Sequence, residues 1–197
     1  MPKIVDHDQR RAEISEAVMR VIARDGLAAV TLASVSDESG WSRGVLTHYF
    51  DNKASLLEGG LRQGMREISA NLEELVTLDD PRRALLGVLE EILPLDERRL
   101  AFGRVYVAFM AESLVSEQLR SYFTYNHAAW REAIAAVVRR GQQRGRFSDV
   151  IRPATAADEL GALTEGLRQR RFNDPTISDA KLRSILRRAV DDRLVRT

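Results

Sequence analysis

The chain has 197 residues, a formal net charge of +1, 44% apolar residues and 30% charged residues. This is the make-up of a folded domain, or a pair of small ones, with length enough for a sizeable core. Cysteine is absent, which excludes disulfide frameworks, thiol nucleophiles and cysteine-ligated metal centres. The three histidines, His7, His48 and His127, are too widely spaced for a metalloprotease motif, so no metal, cofactor or catalytic set is expected. The longest apolar run, 105–111, is far short of a membrane span, and the first eight residues lack an apolar signal core. A cytoplasmic protein without membrane contact is expected.

Helix formers dominate and strand-like alternation is absent, so the fold class is all-α. The first helix is expected over 7–25, where Ile14, Ala17, Val18, Val21 and Ile22 form one apolar stripe and Gly26 supplies the stop. Thr31 is placed to cap a short helix ending near Ser39. Gly40 breaks it, and Ser42 caps a second short helix ending near Tyr49. Asp51 or Asn52 then caps a long helix over about 53–76. Asp80 and Pro81 read as N-cap and first residue of a helix to about Leu93. Asp96 caps another to about Leu114, and a long helix follows over 116–144. Beyond Pro153, Thr155 is the expected cap of a helix to Phe172, and Ser178 caps the last, to about Val195. The prolines Pro2, Pro81, Pro94, Pro153 and Pro175 mark joints and starts. The expected total is nine helices, divided into 1–52 and 53–197.

The stretch 31–50 has the requirements of a helix-turn-helix. Ser36 is small where two helices must touch. Gly40 can take a positive φ at the turn. Val35, Trp41, Leu46 and Tyr49 are apolar toward the first helix. An ordinary helical hairpin satisfies the same spacing. The second short helix, however, offers Ser42, Arg43, Gly44, Thr47 and His48 on its other side. Arginine can bond guanine bidentately in the major groove, glycine lets the backbone approach, and threonine suits a thymine methyl or a phosphate. Lys53 stands at a helix start, where the dipole disfavours a cation and a phosphate would reverse that cost. Thr31 stands at another helix start, where a hydroxyl and free N–H groups suit a phosphate.

Residues 10–57 resemble the N-terminal domain of the TetR (tetracycline-repressor) family. The resemblance rests on Gly26, Thr31, Gly40-Trp41-Ser42-Arg43-Gly44, His48-Tyr49-Phe50, Lys53 and Leu56-Leu57. The Val45-to-Phe50 run and the region after Pro153 look most like the choline-responsive betaine-pathway repressors. Ser36 and Ser39 depart from the family's alanines, and Trp41 from a smaller aliphatic. The resemblance implies that Arg43 and Gly44 meet base edges, with Val45 or Thr47 nearby. It further implies that Thr31, Ser42, His48, Tyr49 and Lys53 meet phosphates. Tyr49 is equally readable as a half-buried core residue.

Residues 1–53 hold seven basic and eight acidic side chains. DNA binding must therefore rest on placement, with Arg10, Arg11, Arg43 and Lys53 toward DNA and the acids elsewhere. In the body no enzyme motif occurs. Phe102, Tyr106 and Phe109 fall at helical spacing beside Met110, with Trp130 further along. They read either as core or as the lining of an effector pocket, with Glu112, Asn126, His127 and Glu165 as candidate polar groups. The foremost candidates for ligand contact are Phe102, Tyr106, Phe109, Met110, Trp130 and Glu165. An aromatic cage with a carboxylate suits a quaternary ammonium. The last two helices carry Leu160, Leu163, Leu167, Ile177, Leu182, Ile185, Leu186, Ala189 and Val190. The resemblance makes them a homodimer interface, and intrachain packing is the alternative. Arg168, Arg170 and Arg171 read as a solvated face. The expected partners are thus double-stranded operator DNA, a small-molecule effector and a second copy of the chain. The rival readings are a helical small-molecule carrier or enzyme with an incidental hairpin, and a DNA-binding factor without ligand control.

Overall fold

A computed structural model describes residues 7–195. Pro2 and Lys3 lie outside the described residues. Among the latter there are nine helices: α1 (His7–Asp25), α2 (Leu32–Ser39), α3 (Arg43–Tyr49), α4 (Lys53–Leu75), α5 (Pro81–Glu90), α6 (Glu97–Glu112), α7 (Glu117–Gln143), α8 (Pro153–Asn173) and α9 (Asp179–Leu194). A 3₁₀ turn occupies Leu27–Ala29. The sole β pairing among the described residues is a single bridge between Phe147 and Val195.

The helix starts follow from short polar side chains that bond otherwise unpaired N–H groups. Thr31 accepts from the Ser34 amide, and the Ser34 hydroxyl oxygen accepts in turn from the Thr31 amide, a reciprocal capping pair. Ser42 accepts from Val45, Asn52 from Ser55, Asp80 from Arg82, Ser116 from Leu119 and Ser178 from Lys181. One expected cap is corrected. α8 starts at Pro153, after Arg152 in extended conformation, and Thr155 lies inside its first turn. Proline at the first helical position needs no amide bond and already has helical φ.

The chain packs as two compact units. Of the described residues, the first comprises 7–67 together with Asp96–Ala111, and the second comprises Ile68–Leu95 and 112–195. The units therefore part between residues 67 and 68, not between 52 and 53. The physical reason is glycine. A Cβ on Gly59 would come within 2.7 Å of the Phe50 ring and 2.8 Å of Ser15 Oγ, and one on Gly64 within 2.1 Å of the Phe102 ring. The early turns of α4 thus seat against α1 and Phe50, and α6 is drawn in from far along the chain. Ile14, Val18, Val21, Ile22, Val30, Val35, Leu46, Phe50 and Leu56 are fully or almost fully buried.

The second unit has its own core, formed by Leu85, Leu89, Leu93, Trp130, Ile134, Val138, Leu160, Leu182 and Leu186. Two Arg pairings tie α9 to α5. Arg82 bonds Asp191 bidentately at 2.7 and 2.8 Å, and Arg183 bonds Glu90 at 3.1 Å. Arg140 at the end of α7 donates to the carbonyls of Val76 and Leu78. In α8 and α9, Leu160, Leu167, Leu182, Leu186, Ala189 and Val190 are buried in this unit's own core, as is Ile177 just before α9, while Leu163 and Ile185 are half-buried. The expected solvated face is corrected at Arg168, which is only 6% exposed. Arg171 is half-buried and donates to the Pro175 carbonyl at 2.6 Å.

Candidate nucleic-acid interface and effector residues

The geometry of α2 and α3 is set from behind. Val35 and Leu46 are buried, and Gly40 takes φ +73, a conformation that side chains with a Cβ adopt only with strain. The Ser36 hydroxyl donates to the Trp41 carbonyl at 2.7 Å, so the serine that replaces alanine here adds a bond across the turn. Trp41 meets the first helix at its polar edge. It is half-buried rather than in the core, and the Arg10 guanidinium lies over its ring at 4.2 Å. The large side chain that closes the domain is Phe50, 1% exposed. It stands in the His-Tyr-Phe run, where an aromatic just past a short helix is the sequence signal for a core plug.

α3 turns Arg43, Gly44, Thr47 and His48 to solvent, with Ser42 exposed before it and Val45 half-buried. Arg43 has no hydrogen-bonded or ion-paired acceptor among the described residues. The Thr47 hydroxyl donates to the Gly44 carbonyl at 3.1 Å. Tyr49 is half-buried, and its hydroxyl shares a 2.9 Å hydrogen bond with His7 Nδ1; His48 packs edge-on against the Tyr49 ring at 5.1 Å. No sequence signal links His7 to Tyr49, which lies 42 residues away.

Lys53 also departs from its reading. Its ammonium donates to the Ala28 carbonyl at 3.0 Å. A carbonyl dipole in the 3₁₀ turn therefore offsets the cost of a cation at the α4 start, and a phosphate is not needed to account for it. Two further donors of the ammonium remain exposed to solvent.

Two cations further along α1 are neutralised. Arg20 and Arg24 on α1 both bond Glu38 on α2 at 2.7 Å. The Arg24 and then the Arg20 hydrogen bonds hold the Glu38 carboxyl below the usual carboxylate range. Acids and bases thus pair at the C-terminal end of α1.

The six candidate ligand residues fall into two groups. Phe102, Tyr106, Phe109 and Met110 are on α6 in the first unit, with the first three buried and the Phe102 and Tyr106 rings 5.9 Å apart. Trp130 and Glu165 are in the second unit. Trp130 is a core residue there, 6% exposed, with its indole N–H donating to the Val88 carbonyl at 3.0 Å. Glu165 on α8 pairs with His127 on α7 at 3.0 Å. That hydrogen bond, against the opposing effect of burial, keeps its carboxyl below the usual range, with Arg168 adding to the pull. His127 also borders an open cleft of about 410 Å³ with Ser113, Arg120, Phe123, Thr124 and Arg131. Asn126 is occupied with the Tyr122 carbonyl, and Glu112 is exposed at the end of α6. No group of three or more potential metal ligands occurs among the described residues. No helix among them is long and apolar enough to cross a membrane.

Comparison with known proteins bears on both halves. Residues 14–59 match the family described as bacterial regulatory proteins, tetR family. Residues 81–195 match the BetI-type transcriptional repressor C-terminal family. The regulator PksA of Bacillus subtilis is 26% identical over 89% of this chain and 84% of its own length. The regulator BetI of Paraburkholderia phytofirmans is 28% identical over 85% of this chain and 84% of its own. Among solved structures, a transcriptional regulator from Saccharomonospora viridis in complex with choline superimposes with a TM-score of 0.81 at 25% identity, covering 97% of this chain and all of that one. A TetR regulator from Haloarcula marismortui, 23% identical, shares the fold with a TM-score of 0.77 over 95% of this chain and 99% of that one.

Proposed function

The chain belongs to the TetR family of transcriptional regulators, with a BetI-type C-terminal half, and from that premise we propose that α3 reads operator DNA through Arg43 and Gly44, with Val45 and Thr47 beside them. It is a regulator and not an enzyme. The family binds operator DNA and effector ligands, typically as dimers, and repression relieved by an effector is consistent with it.

The observation that carries the reading is the outward face of α3, where an arginine without an acceptor stands next to a glycine, on a helix fixed by Leu46 and Phe50. A bidentate guanidinium needs open donors and a close backbone, and both occur together here. Thr31, Ser42, His48, Tyr49 and Lys53 are the proposed phosphate contacts. The proposed homodimer, joined through α8 and α9, carries two copies of α3, so the operator is a near-palindrome. The proposed place of action is the cytoplasm, where DNA is.

The proposed effector is a small organic molecule. In the first unit the α6 residues Phe102, Tyr106, Phe109 and Met110 are proposed as apolar effector contacts; in the second unit Glu165, paired with His127, is a separate candidate for a polar contact. The choline bound by the Saccharomonospora relative makes a quaternary ammonium the first probe, since aromatic faces suit one. The experiment has two arms. The full-length protein selects a duplex from a random pool, and Arg43→Ala is then measured on it by fluorescence anisotropy. A wild-type affinity in the variant removes Arg43 from the site. Choline and a metabolite panel are screened by thermal shift, and hits are added to the bound complex. A hit that raises the melting temperature and releases the duplex supports effector control. A panel without hits favours a factor without ligand control.

A further inference from the structure

Two arginines of α1 stand apart from the other cations of the first unit. The Arg10 guanidinium lies 4.2 Å from the centre of the Trp41 ring. The Arg11 guanidinium lies 5.1 Å from the Phe50 ring and 6.0 Å from the Tyr49 ring. Neither has a hydrogen-bonded or ion-paired acceptor among the described residues. Trp41 precedes α3 and Tyr49 and Phe50 stand at its end, so the two cations bracket the proposed reading helix, which spans about 10 Å.

A guanidinium held over an aromatic ring is attracted by the ring quadrupole without a hydrogen-bond acceptor for its five N–H donors. Stacking thus fixes the direction of the cation without occupying its donors. Arg20 and Arg24, further along the same helix, show the other outcome, with donors taken up by Glu38. The nearby acid Glu13 accepts from Gln9. A cation that is aimed but has no acceptor is suited to an oxyanion that arrives from outside, and beside α3 the matching oxyanion is a DNA backbone phosphate.

We propose that Arg10 and Arg11, aimed by Trp41 and by Tyr49 with Phe50, form a phosphate clamp that grips the DNA backbone on both sides of the segment α3 reads. This rests on the DNA-binding reading above and adds to it a role for Trp41, which acts as a positioning residue through Arg10. The clamp puts two of the seven basic residues of 1–53 at the DNA backbone, in a stretch that also holds eight acidic ones. It carries no sequence information, because phosphates are the same at every step.

The test uses the full-length protein and a duplex that it selects from a random pool, with affinity followed against salt. Arg10→Ala and Arg11→Ala each lower the slope of log K against log salt by about 0.9 for every phosphate that is no longer neutralised, and they weaken selected and unselected duplexes by the same factor. Trp41→Leu lowers the slope as Arg10→Ala does, and the double variant loses no more than either single one. Trp41→Phe, which keeps a ring face, retains most of the slope. Circular dichroism melting confirms that each variant is folded, and Arg43→Ala, which alters sequence preference, serves as the reference. Variants at Arg10 and Arg11 that are folded and keep the parent slope overturn the clamp alone. Additive losses in the double variant overturn the role of Trp41. A parent that selects no duplex overturns the DNA-binding reading and the clamp with it.

Discussion

In the second unit Arg82, Arg131, Arg140, Arg144, Arg171, Arg183 and Arg193 each donate to a carboxylate or carbonyl of that same unit. In the first, Arg10, Arg11 and Arg43 beside α3 donate to nothing among the described residues, as do the exposed Arg104 on α6 and, in the second unit, Arg83, Arg146, Arg152, Arg170 and Arg187. One side-chain type therefore does two jobs. Where its donors meet carbonyls at the α4–α5 junction or acids across α5 and α9, it fastens helices. Where they are left open beside α3, it is available to an external anion. The net charge of +1 averages over both and reports neither.

The comparison can be broken most forcefully in the second unit. Trp130→Ala empties a core position and leaves the Val88 carbonyl without its indole donor. It should cost about 3–5 kcal/mol in urea denaturation, while protein that stays folded binds operator as before. Arg43→Ala should do the reverse. Operator binding falls by about 1–3 kcal/mol with relaxed sequence preference, and the melting curve does not move. Lys53→Ala sharpens the boundary between the two uses, because this cation has both a carbonyl partner and open donors. Its expected effect is equal weakening of all sequences and a salt slope lower by about 1. A stability loss with an unchanged slope would make Lys53 a fastener only.

The Glu38 clasp gives a pH test. Its carboxyl titrates below the usual range in the fold, so its contribution is complete above that range and is lost as pH falls through the depressed value. Stability of the parent should therefore drop more steeply in acid than that of Glu38→Gln, with the two curves converging at low pH. The smallest effect is expected at Arg82→Ala. Both partners of this ion pair are about two-fifths exposed, which limits the loss to about 0.2–1 kcal/mol, reduced further by added salt.

How far the sequence can be read follows from the range of the interactions. Caps at Thr31, Ser42, Asp80 and Ser178 are bonds over two or three residues, and they are legible in the order of the side chains. So are the positive φ at Gly40 and the burial of Val35 and Leu46. Interactions across helices are not. Lys53 meets Ala28 over 25 residues and Tyr49 meets His7 over 42, and no local pattern announces either partner. Size alone would put Trp41 in the core, but its ring serves Arg10 at the surface. The boundary between the units is hidden for the same reason. α6 joins the first unit through a glycine notch that becomes visible only when Gly64 and Phe102 are side by side. Arg168 reads as solvated because arginine usually is, and the fold buries it all the same.

Of the seven residues of α3, Leu46 alone is buried. Arg43, Gly44 and Thr47 are exposed and thus free of the domain's packing, and a change there leaves the fold intact. Gene duplicates could acquire new operators by substitutions at Arg43, Gly44 and Thr47 without passing through an unfolded ancestor. The same separation makes the helix a cassette whose address can be rewritten in the laboratory while the frame around it is kept.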